Sequence, residues 1–143
     1  MSARTPLFID TGAFFARFNE SDEHHAVASA VFEDIRSGDG GYSPLYTSRF
    51  VLYELVDLLL YKVGYDTALG ALDAILASES FNVLPVTEKT VRKARDEFER
   101  YDDQRISFVD HTSAVLCEER EIDRVFGFDS DFRTLGFELV PSK

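Results

Sequence analysis

The sequence predicts an α/β fold, a parallel sheet with helices on both faces, and three observations carry that expectation. Leu7-Phe8-Ile9 is a short apolar run between Pro6 and Asp10, which reads as a strand buried on both faces. Runs of the same kind recur at residues 45–47, 81–85, 124–128 and 137–140, with helical periodicity between them. The chain's 143 residues, 45% of them hydrophobic, make a single domain over 1–143, undivided by linkers, repeats or low-complexity segments. Right-handed crossovers then gather all the strand carboxyl ends at one rim, where ligands bind in open α/β sheets.

Asp10 ends the first strand and Thr11 opens a helix through residue 18. Two readings stand for Asp10: the N-cap of that helix, or a carboxylate at the ligand rim. Residues 23–37 carry Ala26, Val27, Ala30, Val31 and Ile35 at amphipathic spacing, and 38–44 read as a loop. His24 and His25 point about 100° apart on a helix, so they read as solvated or supporting side chains rather than a chelating pair.

Ser48 caps a helix over 49–63 that Gly64 closes. It is apolar nearly all round, through Phe50, Val51, Leu52, Leu55, Val56, Leu58, Leu59 and Leu60, which predicts that most of it is buried. Glu54 lies in that surface, with Asp57 three residues on. A carboxylate there needs either an Arg in a buried ion pair or a metal that it ligates. A further helix over 66–78 pairs antiparallel with it across Gly64-Tyr65.

Thr87 caps a charged helix to about Tyr101, and its Arg92, Lys93, Arg95 and Arg100 form the one dense basic patch. Arg92 with Asp96 and Arg95 with Glu99 have the i,i+4 spacing of solvated ion pairs, which accounts for the patch without RNA. Ser107 opens a helix to residue 121, and Asp110 follows it at loose capping-box spacing. The same first turn is the positive end of the helix dipole, so it equally favours an ionised carboxylate that holds a cation. His111 points off another face. The strand over 124–128 stops at Asp129-Ser130-Asp131-Phe132 much as the first stops at Asp10.

The net charge of −11 opposes any footprint built on phosphate attraction. Acids are dispersed and Lys occurs only at 62, 89, 93 and 143, a balance expected of a halophilic source. At ~1 M salt the Debye length falls to ~3 Å and that unfavourable field is screened. The lone Cys117 excludes an intramolecular disulfide and reads as a buried thiol. No apolar run reaches the roughly 18 residues of a membrane span, and residues 1–6 lack a signal-peptide core, so a cytoplasmic location away from membranes is expected.

Placed on this fold, Asp10 and Asp129 end strands at the rim, Asp110 starts a helix there, and Glu54 faces inward beside them. Four carboxylates in one pocket cannot all stay ionised without a cation. Oxygen ligands of this kind suit Mg²⁺ or Mn²⁺, which can activate a water and neutralise charge on a phosphodiester. No Walker-type glycine loop, Ser-His pair or nucleophilic Cys setting competes.

Over its whole length the chain resembles the PIN-domain ribonucleases, particularly the small VapC-like toxins of prokaryotic toxin–antitoxin pairs. The likeness rests on Phe8-Ile9-Asp10-Thr11, Glu54 in the apolar third helix, Ser107-Phe108-Val109-Asp110, and Phe128-Asp129-Ser130-Asp131-Phe132. It implies a five-stranded parallel α/β domain, endonucleolytic RNA cleavage dependent on Mg²⁺ or Mn²⁺, a homodimer, and inhibition by an antitoxin peptide that sets a basic side chain among the acids. It also implies that Asp10, Glu54, Asp110 and Asp129 hold the metal, with Asp131 as the second acid of the last motif and Thr11 as the hydroxyl beside the first. Arg49, Arg105 and Arg133 are the nearest cations to steady a phosphate. One position departs from the family: its Thr or Ser two places before the last Asp is Gly127 here, so a hydroxyl contact to water or phosphate is missing. The rival is a catalytically weak or inactive PIN fold kept to bind a partner. A phosphoacceptor receiver domain fits less well, because Asp10 stands alone and no Lys precedes Lys143 near the closing strands.

Overall fold

The protein is described by a computed structural model over residues 4–142; residues 1–3 and 143, the ends of the expected domain, lie outside the described residues. Five strands, β1 (Thr5–Ile9), β2 (Tyr42–Ser48), β3 (Phe81–Leu84), β4 (Arg124–Phe126) and β5 (Glu138–Val140), form one parallel sheet in the order β3-β2-β1-β4-β5. Helices α1 (Thr11–Phe18) and α2 (His25–Ser37) join β1 to β2, and α3 (Arg49–Lys62) and α4 (Tyr65–Ala77) join β2 to β3. The chain then returns through α5 (Glu88–Arg100) and α6 (Phe108–Glu119) to β4, and a single turn, α7 (Asp131–Thr134), leads to β5. Because the first two crossovers travel one way across the sheet and the third travels back, right-handedness sets α5 and α6 on the opposite face.

β1 lies at the centre, and Leu7, Phe8 and Ile9 are wholly buried, as a strand covered on both faces requires. The direction of strand addition reverses between β1 and β4, so this is the topological switch point, where a crevice opens beyond the strand ends. Three expected caps are present: the hydroxyls of Ser48, Thr87 and Ser107 accept from the N–H groups of Val51, Thr90 and Asp110. Gly64, with φ +146°, ends α3 in a conformation that a side chain would strain, and so permits the expected tight α3–α4 turn. Cys117 is a buried free thiol, and burial pushes it well above its ordinary range.

Several boundaries differ from those expected. β2 begins at Tyr42, inside the expected loop, because Pro44 precedes the point at which β3 starts to pair at Leu45. There the strand still has a free edge on which proline is tolerated. β4 ends at Phe126, two residues early, and α7 is too short for periodicity to reveal. Arg92 pairs with Glu88 (2.6 Å) instead of Asp96, whereas Arg95 does meet Glu99 (2.8 Å). The larger correction concerns α3, which is not mostly buried. Only the stripe Val51, Leu52, Leu55 and Leu59 enters the core, while Tyr53, Leu60, Tyr61 and Val63 are exposed. That stripe packs α3 on its neighbours, and Phe50, Val56 and Leu58 at its borders are half-buried.

Candidate active site

Asp10 is fixed by the sheet before its side chain is considered. Its N–H donates to the Phe126 carbonyl (2.9 Å), which ties the end of β1 to the end of β4 at the switch point. Its backbone is that of an N-cap, φ −87° and ψ 165°, yet its side chain makes no capping hydrogen bond. Oδ1 is buried and without a hydrogen-bond partner, an expensive state for a carboxylate. Burial raises the carboxyl from 3.8 to about 7; Thr11 and Gly12 amides oppose the shift, and Glu54 and Asp129 add to it.

Asp110 comes from the first turn of α6, and it too is buried. Ser107 Oγ accepts from its N–H at 3.1 Å, so the cap holds this residue by its backbone and leaves the carboxylate free to face the pocket. Burial first, then the charges of Asp10 and Asp129, push its carboxyl strongly upward. Asp129 and Asp131 follow β4, where Asp131 N–H donates to Asp129 Oδ1 at 2.9 Å and draws the two acids into one turn. Asp131 is raised in turn, by desolvation and then by Asp129. One carboxylate oxygen from each of Asp110, Asp129 and Asp131 lies within 4.8 Å of the others.

Glu54 reaches the same pocket from α3, but it is exposed and has no Arg partner among the described residues, contrary to a buried ion pair. The buried Thr11 hydroxyl donates to its Oε1 at 2.6 Å. The hydroxyl beside the first acid is therefore engaged in holding another acid, a partnership across 43 residues that no local spacing signals.

Together these residues line a cavity of about 530 Å³ with Gly12, Leu58, Arg105, Ser107 and Phe128. Of the three expected phosphate-steadying cations, Arg105 is in the wall. Arg49, at the exposed start of α3, and Arg133, which donates to the Ser142 carbonyl at 3.4 Å, stand outside it. A larger cavity, about 750 Å³, lies among α1, α2 and α4 and contains none of these acids. Gly127 explains its own departure from the expected hydroxyl. A Cβ there would come within 3.1 Å of Asp10 Cβ and 3.4 Å of its Oδ2, so the space is occupied by the first acid itself.

These groups fit a hard divalent ion. Asp10 has a buried oxygen with no partner, its neighbours are carboxylates whose ionisation burial and mutual repulsion resist, and the donors are all oxygens. Sequence reasoning overlooked Phe128 and Leu58 in the wall, since a single apolar residue beside an acid carries no spacing signal. His24, read as solvated or supporting, stacks against Phe128, and His25 Nδ1 lies 2.7 Å from the Ala16 carbonyl.

The model of the PIN domain family matches residues 7–138. The 23S rRNA-specific endonuclease VapC20 of Mycobacterium tuberculosis is 31% identical over 135 residues, covering 94% of this chain and 97% of its own. Its crystal structure, described as that of a sarcin-ricin loop cleaving toxin, superposes with a TM-score of 0.82 at 30% identity, over 92% of this chain and 95% of that one. A VapC ribonuclease of Archaeoglobus fulgidus is 29% identical over 87% of this chain and 77% of its own. At the level of fold alone, the structure of VapBC2 from Rickettsia felis bound to a promoter DNA fragment matches with a TM-score of 0.67 at 14% identity, over 94% of this chain and 97% of that one.

Proposed function

This chain belongs to the PIN domain family and is a VapC-like ribonuclease toxin, and from that premise we propose that it is an endoribonuclease dependent on Mg²⁺ or Mn²⁺, with residues 1–143 as one nuclease domain. The observation that carries the reading is the convergence of five carboxylates on a cavity at the switch point, with Asp10 Oδ1 buried and unsatisfied among them. Bound there, Mg²⁺ or Mn²⁺ supplies charge neutralisation and a water of lowered pKa. Asp10, Asp110, Asp129 and Asp131 would hold the ion, with Glu54 beside them in the same cavity. Glu54, pinned through Oε1 by Thr11, keeps Oε2 to accept a hydrogen from the attacking water and orient it. Arg105, the cation in the wall, meets the scissile phosphate, and Arg49 and Arg133 serve flanking phosphates from outside the cavity.

The substrate we assign is a structured rRNA hairpin of the sarcin-ricin type, supported by the mycobacterial relative, a 23S rRNA-specific endonuclease that cleaves the sarcin-ricin loop. An antitoxin partner is supported by the VapBC architecture of the structural neighbours, and a homodimer is the assembly we expect. The test is cleavage of an end-labelled sarcin-ricin hairpin in high KCl, with Mg²⁺, Mn²⁺ or EDTA, by wild type and Asp10→Asn. The expected result is a metal-dependent cut at one site that the substitution abolishes. No cut by wild type, together with no Mn²⁺ binding in calorimetry, would overturn the nuclease in favour of a partner-binding PIN fold.

A further inference from the structure

Among the described residues, His24 and Phe128 are the one pair of aromatic rings that lie face to face, with centroids 4.1 Å apart and planes 4° from parallel. Phe128 is in the wall of the acidic cavity, next to Asp129, and is backed edgewise by the wholly buried Phe126 at 6.4 Å. His24 is held independently: its N–H donates to Asp22 Oδ1 (2.8 Å), and its carbonyl accepts from Ala28 N–H (2.9 Å). Its side chain is nonetheless 42% exposed, with Glu23 3.7 Å from Nε2. One face of the imidazole is therefore stacked on a residue of the cavity wall, while the ring keeps part of its surface in solvent.

A flat, rigid, half-exposed ring is what an unstacked RNA base uses as a platform, and such stacking does not depend on charge. That matters in a chain of net charge −11, which offers RNA no long-range attraction and must hold it by short-range contacts. We propose that the His24–Phe128 stack is a base shelf, on which the base of a nucleotide flanking the cleaved phosphate rests against the His24 ring. The shelf rests on the ribonuclease reading and adds a base-recognising residue outside the acids.

The test compares wild type, His24→Ala, His24→Leu and His24→Trp on the sarcin-ricin hairpin and on copies made abasic at single positions beside the cut. Removing the ring, by Ala or Leu, is expected to raise KM about tenfold with kcat nearly unchanged, and Trp is expected to restore it. On the hairpin abasic at the shelved position all four proteins should be equal. A loss of kcat that is the same on intact and abasic RNA would make His24 only a brace for Phe128 and overturn the shelf, as would four equal proteins on intact RNA. If wild type neither cuts nor binds the hairpin with Mg²⁺ or Mn²⁺, the ribonuclease reading fails first and takes the shelf with it.

Discussion

Asp10 shows how one residue can act against the stability of the fold it serves. Its folded pKa, about 7, stands above the unfolded value of 3.8, so the folded chain retains a proton that the unfolded chain has released. The stability contributed by the neutral carboxyl is complete below about pH 4 and is lost as pH rises to about 7; Asp110 shifts in the same direction. Metal-free protein is accordingly expected to lose thermal stability between about pH 4 and pH 8, and saturating Mg²⁺ or Mn²⁺ to cancel that loss, as calorimetric scans with and without EDTA would show. By the same reasoning Asp10→Asn, for which loss of cleavage is expected, should unfold at higher denaturant than wild type near pH 8. The gain is about 2 to 4 kcal/mol if most of the carboxyl's shift is relieved. Gly127→Ser tests the crowded contact from the other side. It restores the missing hydroxyl but presses on Asp10, so weaker Mn²⁺ binding is expected, and unchanged binding would show that Asp10 yields without cost. At this scale the acids were legible because each stands where an apolar run or a helix start makes a carboxylate conspicuous. The Thr11–Glu54 bond was not, because it joins residues that only the fold brings together.

Elements were legible where a local signal was strong and blurred where tertiary context decided. Ser48, Thr87 and Ser107 announced three helix starts correctly because a capping hydroxyl acts within its own turn. The exposed side of α3 could not be foreseen, since apolar periodicity reports what can be buried and not what a neighbour actually covers. The start of β2 is hidden in the sequence because Pro44 lies in it, and its place on a partly unpaired edge depends on where β3 begins. Ser107 also links element to site. Ser107→Ala should destabilise the protein by about 1 kcal/mol and, by loosening the first turn of α6, reduce metal affinity as well. Denaturant titration and Mn²⁺ calorimetry on the same variant would check both, and a stability loss without any change in binding would confine Ser107 to capping.

At the scale of the whole molecule, the strand order explains why the cavity is where it is, and the net charge makes the response to salt a test. An alternation of strands and helices was enough to predict the parallel sheet and its ligand-bearing rim, but the position of the reversal is set by pairings between distant strands. Because the acids repel one another and any RNA, raising KCl from about 0.1 M to about 2 M is expected to raise the thermal midpoint and to speed hairpin cleavage; indifference of both to salt would sink the halophilic reading. The tie between the ends of β1 and β4 has a further consequence, in time. Asp10 and Asp129 are separated by well over a hundred residues, and the strand that delivers the second must slot in beside the strand that delivers the first. A growing polypeptide must therefore expose both strands before its candidate centre can form. Until β4 docks, the acids lie far apart along the chain and the candidate centre is not assembled.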